Sequence, residues 1–419
     1  MAEGRTTTSK VGAQGLVGLL AGLAAGGAIG ASGRSALLTT GSAIEVAGTL
    51  WINAILMTIL PLVVSKLVVS IAGQHDQRSV GRSGWRAAVL FVVLLTVTSA
   101  LTAAVMPWLF AYLEIDKGAA ASLRATGLGA AAAAPSASQV LLGLVPANAI
   151  RAAADGAIVP VLFFSLAFAL AASRIPRELR DPLVTLFRSV DAAITVLLQW
   201  IVRLAPYGVF ALGLGLAMRV GMGIVTALAY YILVSSATLI LFTAALYGIV
   251  FVGAGVPLRR FARAAGPAQV VAFGTHSSMA ALPAMLDGAK ARLGLSQTAT
   301  GFVLPFSLAV FKYSGPIWFV VVAYFIGRLY GVAIDPSRAI AIVVASVLTS
   351  FAIGGVPSGA AIVVAPVLTA AGLPVEAMGI LLAVDPIPNA FRTVANVTGM
   401  LAVTVLADSP ATRGEVSRV

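Results

Sequence analysis

The chain has 419 residues, 59% of them hydrophobic and only 10% charged, with a mean hydropathy of +1.01 and a net charge of +12. Soluble domains carry about 25% charged residues, so a water-soluble fold is excluded, and the positive balance reads as basic loops on one membrane face rather than a nucleic-acid patch. With no cysteine and two histidines, His75 and His276, a disulfide framework, a thiolate metal site and a histidine-rich centre are excluded too.

A membrane-spanning helix needs about 20 mostly apolar residues. Residues 1–10 are polar and basic, and no cleavage motif closely follows the first apolar run, so no cleavable signal peptide is expected. Full-length spans are predicted at 11–31, 43–73, 87–112, 138–173, 189–219, 222–254, 295–327 and 376–407. Several exceed the required length, which implies tilts or breaks. Two further apolar stretches, 264–289 and 339–372, carry turn-forming clusters at their middles. These are Gly274-Thr275-His276-Ser277-Ser278 with Pro283, and Gly354-Gly355-Val356-Pro357-Ser358-Gly359. Irregular backbone at membrane depth is tolerated only where protein or a water-filled cavity satisfies it. Both stretches therefore read as re-entrant helical hairpins. The expected fold is all-α and polytopic, with about eight transmembrane helices and two hairpins.

Charge placement supports that layout. With the N-terminus inside and both hairpins non-crossing, 16 of the 27 Lys and Arg residues lie in inside segments and six in outside segments, the bias of cytoplasmic loops. The other five, Lys66, Arg151, Arg203, Lys312 and Arg392, lie within or at the edges of spans. The last third is an internal repeat. Residues 258–331 form a hairpin followed by a long helix, and 337–407 do the same, each long helix with one buried cation, Lys312 or Arg392. Inverted repeats with broken helices meeting near the midplane are the architecture of secondary transporters.

The strongest chemical signal lies near the C-terminus. Asp385, Asn389, Arg392, Thr393 and Asn396 recur at spacings of three and four, which places them on one helical stripe. An arginine deep in a span costs at least ~2.5 kcal/mol and must face a polar interior. Arg392 either grips a substrate carboxylate in two-pronged geometry or forms a structural pair with Asp385. The hairpin tips, with Ser277, Ser278 and glycines 354, 355 and 359, present backbone N–H groups at half-helix ends, which bind anions; tight helix packing is the plainer account of those glycines. Lys312 sits in an apolar run just before Ser314-Gly315-Pro316, which reads as an ammonium at a helix break; the alternative is snorkelling to an interface. His276 is a candidate for proton coupling or a hydrogen-bonded tip residue. The cargo this implies is a small anionic solute, with membrane lipids as surroundings and no nucleic acid, metal or cofactor.

These features resemble the dicarboxylate/amino acid:cation symporter family, the glutamate transporter homologues, over most of the chain. The resemblance rests on Leu144-Val145-Pro146-Ala147-Asn148, on Ala205-Pro206-Tyr207-Gly208-Val209-Phe210, on the serine hairpin ending Leu282-Pro283, on Gly354-Gly355-Val356-Pro357, and on Arg392-Thr393-Val394-Ala395-Asn396-Val397-Thr398-Gly399. It implies a homotrimer in the cytoplasmic membrane, both termini cytoplasmic, that works by an elevator motion with the second hairpin as the extracellular gate. Residues 11–257 would hold the scaffold helices, together with mobile-part helices at 87–112 and 222–254. Residues 258–331 and 337–407 would complete the mobile part, between a 1–10 and a 408–419 tail. By position, Arg392 would bind a distal carboxylate, Thr393 and Asn396 would contact substrate, and Ser278 with the backbone of Val356–Gly359 would bind the other carboxylate.

The departures are informative. The family usually has Asn-Met-Asp-Gly-Thr in the broken helix, where this chain has Phe311-Lys312-Tyr313-Ser314-Gly315, and a second sodium-binding aspartate aligns with Met400. Loss of those carboxylates implies lost sodium coupling, with Lys312 standing in for the ion's charge. The aspartate that receives a substrate amino group aligns with Asn389, which shifts the expectation toward C4-dicarboxylates while its carbonyl leaves acidic amino acids open. The coupling is expected to be to protons, through His276, Asp385 or the substrate, or absent. The alternatives are a sodium-coupled aspartate/glutamate symporter with altered ion sites, and an anion channel. An enzyme is not expected, since no metal cluster, phosphate loop or nucleophile with its base is present.

Overall fold

The computed structural model describes residues 3–73, 81–113, 145–155, 157–220, 223–351 and 363–408. Among them every regular element is a helix. Six stretches are long and apolar enough to cross a membrane: Ser35–Val69, Gly84–Ala111, Arg177–Ile201, Ile224–Ala254, Ala299–Leu329 and Pro386–Ala407. They correspond to six of the eight predicted spans. The other two are represented by shorter apolar helices, Val17–Ser32 and Pro160–Ala172.

The N-terminal part comprises α1 (Glu3–Ser32), α2 (Ser35–Ala72), α3 (Gly81–Ala111), α4 (Ala149–Ala154), α5 (Ile158–Ala172), α6 (Arg177–Arg203), α7 (Ala205–Val220) and α8 (Gly223–Ala254). Two predicted spans differ. The 138–173 span is broken: Asn148 caps α4 by accepting from the Arg151 N–H at 3.0 Å, and α4 ends at Asp155. The 189–219 span begins twelve residues earlier, at Arg177, and breaks at Leu204 before Pro206. The first half of this helix is charged and amphipathic, which hides its start in the sequence. Its Asp191 pairs with Lys66 of α2 at 2.8 Å, which gives that intramembrane lysine a partner.

Helix α1 lies along α7 at very close range. Gly18, Gly22, Gly26 and Gly30 form its contact ridge, and a Cβ on the first three would overlap the backbone carbonyls of Pro206, Phe210 and Leu214. A four-residue repeat of small residues is how membrane helices bring backbones together without a hydrophobic driving force.

The C-terminal part has the predicted doubled design. Helix α9 (Leu258–Thr275) turns at 276–281 into α10 (Leu282–Asp287) and a π-helical turn, Gly288–Arg292. The two arms pack against each other. Arginines close their base: Arg260 donates to the carbonyls of Arg292 (3.0 Å) and Leu293 (3.2 Å), and Arg292 donates to that of Arg263 (2.6 Å). The first hairpin thus starts and ends at the same place. The long helix after it comprises a π-helical turn, Ala299–Val303, then α11 (Leu304–Val310), a break at 311–313, and α12 (Ser314–Leu329). The second hairpin has arms α13 (Pro336–Ser350) and α14 (Ala365–Ala370), which also pack together. It leads through a short turn to α15 (Met378–Val384) and α16 (Pro386–Ala407).

Two large apolar cores hold these parts. One joins α9, α10, the early part of α3, the late part of α8, Phe311, Tyr313 and α16. The other joins α12, the second hairpin and α15 to α1, α2 and α6. The helix breaks carrying polar groups lie along α16, which packs on α3, α8, α9, α11 and α12.

Candidate functional site

The site is built on the first half of α16. Pro386 and Pro388 open the helix, where a missing N–H costs nothing, and Asp385 sits at the joint with α15. The next helical turns bring the predicted stripe together. Arg392 Nη2 donates to Asp385 Oδ1 at 2.5 Å and to Asn389 Oδ1 at 3.0 Å. Both ionic side chains are nearly sealed, at 2% and 1% exposure. The guanidinium lies over the Trp318 ring, 4.0 Å from its centre, and Trp318 Nε1 donates to the buried Tyr231 hydroxyl at 2.8 Å. Three faces of Arg392 are thereby fixed: a carboxylate, an amide and an aromatic face.

What remains open decides the chemistry. Arg392 Nε and Nη1 and Asp385 Oδ2 are buried without a hydrogen-bond partner among the described residues. An unsatisfied buried donor costs roughly 1–3 kcal/mol, and each of the two open guanidinium nitrogens can donate to an anion's oxygen. Asn389 spends its carbonyl on Arg392, so its remaining polar group is an N–H donor. Asn396 behaves alike: its Oδ1 accepts from the Ser314 N–H at 2.9 Å. Thr393 is buried and bonds back to the Asn389 carbonyl at 2.7 Å. The stripe is rich in donors and poor in acceptors.

Lys312 occupies the predicted break. It is 6% exposed, and its ammonium donates to the Leu308 carbonyl at 3.0 Å. That carbonyl belongs to the C-terminal end of α11, where a cation offsets the helix dipole; Asn396 caps the N-terminal end of α12 opposite. Burial at the break argues against snorkelling to an interface. Fully buried rings flank the lysine. Phe311 stacks on Phe91 at 4.6 Å, and the Tyr313 hydroxyl donates to the Phe242 carbonyl at 3.1 Å. Gly399 lets this pair reach α16, since a Cβ there would lie 2.8 Å from Tyr313 Cβ. Met400, the next residue, is also fully buried. Phe311, Tyr313 and Met400 thus close around the break.

The first hairpin's tip is brought to the same helix: Phe273, just before it, meets Phe391 edge-on at 5.5 Å. Ser277 and Ser278 are half-buried, and Ser277 Oγ accepts from the Ala280 N–H at 3.3 Å. His276 is exposed and takes a left-handed conformation (φ 54°) at the end of α9, its N–H bonded to the Ala272 carbonyl. Its visible role is to end a helix, a position usually given to glycine or asparagine. The second tip, with Val356 and Gly359, lies outside the described residues. Its arm α13 carries buried Ser346 and Thr349, whose hydroxyls have no partner among the described residues.

The family model of the sodium:dicarboxylate symporter family matches residues 13–409. This chain belongs to that family. It is therefore a polytopic membrane carrier and not an enzyme. Similar proteins include the proton/glutamate-aspartate symporter of Escherichia coli strain K12, 29% identical over 86% of this chain and 84% of its own length. The proton/sodium-glutamate symport protein of Bacillus subtilis strain 168 is 27% identical over the same shares, and that of Bacillus caldotenax 26% identical over 74% of each chain.

Several site residues escaped the reading of the sequence. Ser346, Thr349 and Ser350 follow three-and-four spacing in an apolar run, a signal that was available. Trp318 and Tyr231 looked like ordinary span residues, and no local pattern shows that the Trp318 ring lies beneath an arginine. Gln269 bridges the Tyr247 and Thr398 hydroxyls, both at 2.8 Å, and ties the first hairpin to α8 and α16. No cluster of metal-ligating side chains exists among the described residues.

Proposed function

We propose that this protein is a sodium-independent secondary carrier of small dicarboxylate anions. The observation that carries the substrate reading is the hydrogen-bonding polarity around Arg392. Two guanidinium donors are open, and Asn389 and Asn396 have both committed their carbonyls. A second carboxylate suits such a site, whereas an ammonium finds little beyond Asp385 Oδ2. This favours C4-dicarboxylates over acidic amino acids, although the relatives are named for glutamate and aspartate. Arg392 holds one carboxylate, Asn389, Thr393 and Asn396 contact the substrate, and Ser277 and Ser278 with the backbone at Val356 and Gly359 receive the other end.

Lys312 supports the sodium-independent reading. A buried ammonium at the break, enclosed by Phe311, Tyr313 and Met400, supplies positive charge where a sodium site would need oxygen ligands. Transport is coupled to a proton, carried by Asp385, His276 or the substrate, or is uncoupled. The mobile part comprises α3, α8, both hairpins and the helices following them. Helices α1, α2 and α4–α7 form the scaffold of a homotrimer in the cytoplasmic membrane, with both termini inside. The test is uptake of labelled succinate and aspartate into proteoliposomes with sodium replaced by choline. Undiminished succinate uptake that excess aspartate competes for poorly is expected. Uptake abolished without sodium refutes the role of Lys312, and a clear preference for aspartate refutes the dicarboxylate reading.

A further inference from the structure

One face of the first hairpin carries a feature that transport of a small anion does not use. On α9, residues 259, 263, 266, 270, 273 and 274 fall within one helical stripe. Its upper part borders an apolar groove of about 520 Å³, lined by Gly266, Gln269, Val270, Phe273, Gly274 and, from α16, Val394. The volume lies in the range of small-molecule sites. Gly266 and Gly274 leave the groove open, since a Cβ on either meets no atom within 4 Å. Val270 is 74% exposed and Phe273 48%. The amide of Gln269 is turned away to Tyr247 and Thr398, so the groove stays apolar along its length.

The lower end of the same stripe is cationic. Residues 258–292 hold Arg259, Arg260, Arg263, Lys290 and Arg292 against one carboxylate, Asp287. Arg260 and Arg292 are held in place by backbone carbonyls, which use their N–H groups but leave their charge. The Arg292 guanidinium is bonded at residue 263, one turn below Gly266. An apolar groove about two turns long, ending near guanidinium groups held at the hairpin's base, matches an acyl chain joined to an anionic headgroup.

We infer that this face binds one anionic phospholipid of the leaflet at the hairpin's base, which is the cytoplasmic leaflet in the orientation proposed above. Its chain lies in the groove, and its phosphate sits among Arg259, Arg263 and Arg292. A zwitterionic lipid offers the same chain but no net charge to match the cations, and a soluble anion offers no chain.

The test is native mass spectrometry of the detergent-solubilised full chain, incubated with phosphatidylglycerol or with phosphatidylcholine of identical chains. Phosphatidylglycerol is expected to be retained preferentially. Each cation near such a headgroup contributes about a fivefold factor, so the double variant R259Q/R263Q is expected to lower its retention ~30-fold. Gly274→Leu, which fills the groove, is expected to lower retention of both lipids, with size-exclusion elution unchanged. Equal retention of the two lipids by the unaltered protein overturns the inference. So does phosphatidylglycerol retention that neither variant reduces. The readout involves no uptake, so failure of the transport reading leaves this result interpretable.

Discussion

Asp385→Asn tests whether the Arg392 pair is a structural end in itself or a placeholder for a bound anion. In the unliganded protein the substitution leaves a guanidinium at 2% exposure without its carboxylate. Breaking a buried pair this way costs about 3–5 kcal/mol. Two holds survive, the Asn389 carbonyl and the Trp318 ring, a desolvated cation–π contact worth about 2 kcal/mol, so Arg392 stays in position. An anionic substrate then supplies the missing charge. The variant is expected to be less thermostable than the parent without substrate, and to regain most of the loss when succinate is added. Recovering ~3 kcal/mol of site destabilisation corresponds to roughly 10²-fold tighter binding, with slower release and slower turnover. The assay is a thermal unfolding scan with and without succinate, paired with a binding titration. Equal melting of parent and variant in the absence of substrate refutes the reasoning. So does a variant whose melting succinate does not raise more than the parent's.

Lys312→Met removes the ammonium from the break while keeping its stem, and uptake is expected to fall at least tenfold in choline and to stay low when sodium is restored; unchanged uptake removes Lys312 from the mechanism. Asn389→Asp adds an acceptor beside Arg392, and competition assays are expected to shift about tenfold toward aspartate over succinate, as a charge-assisted hydrogen bond warrants. His276→Asn keeps a residue that tolerates the left-handed conformation, and both uptake and its pH profile are expected to persist; a flattened profile would make His276 the proton carrier. Gly22→Leu forces a side chain into the Phe210 carbonyl, and overpacking of this kind costs about 1–3 kcal/mol, read as a lower unfolding temperature with substrate affinity unchanged.

Much of this design was legible before any coordinates, for physical reasons. Membrane spans announce themselves by length, and hairpins by turn-forming residues in the middle of apolar runs. The stripe from Asp385 to Asn396 was readable because polar groups at spacings of three and four in a span have no other explanation. The 138–173 and 189–219 segments failed because average hydropathy does not register a local cap: Asn148 starts a new helix, and the charged turns of α6 hide its start. Partnership was the other gap. Spacing placed Arg392 near Asp385 and Asn389, but not over Trp318, whose ring arrives from a helix more than 70 residues earlier. Likewise, nothing local revealed that Asn396 would cap the helix after Lys312.

The glycine ridge of α1 has a consequence for how the chain is made. Its partner surface begins at Pro206, about 190 residues after Gly18. At ~5–20 residues per second of synthesis, α1 waits on the order of 10–40 s before α7 exists. During that interval its glycine ridge has no α7 to pack on, and of the helices it packs against most, α2 alone is already made. Arrival of α7 then fixes α1 in place, before the hairpins and the helices of the site have been made.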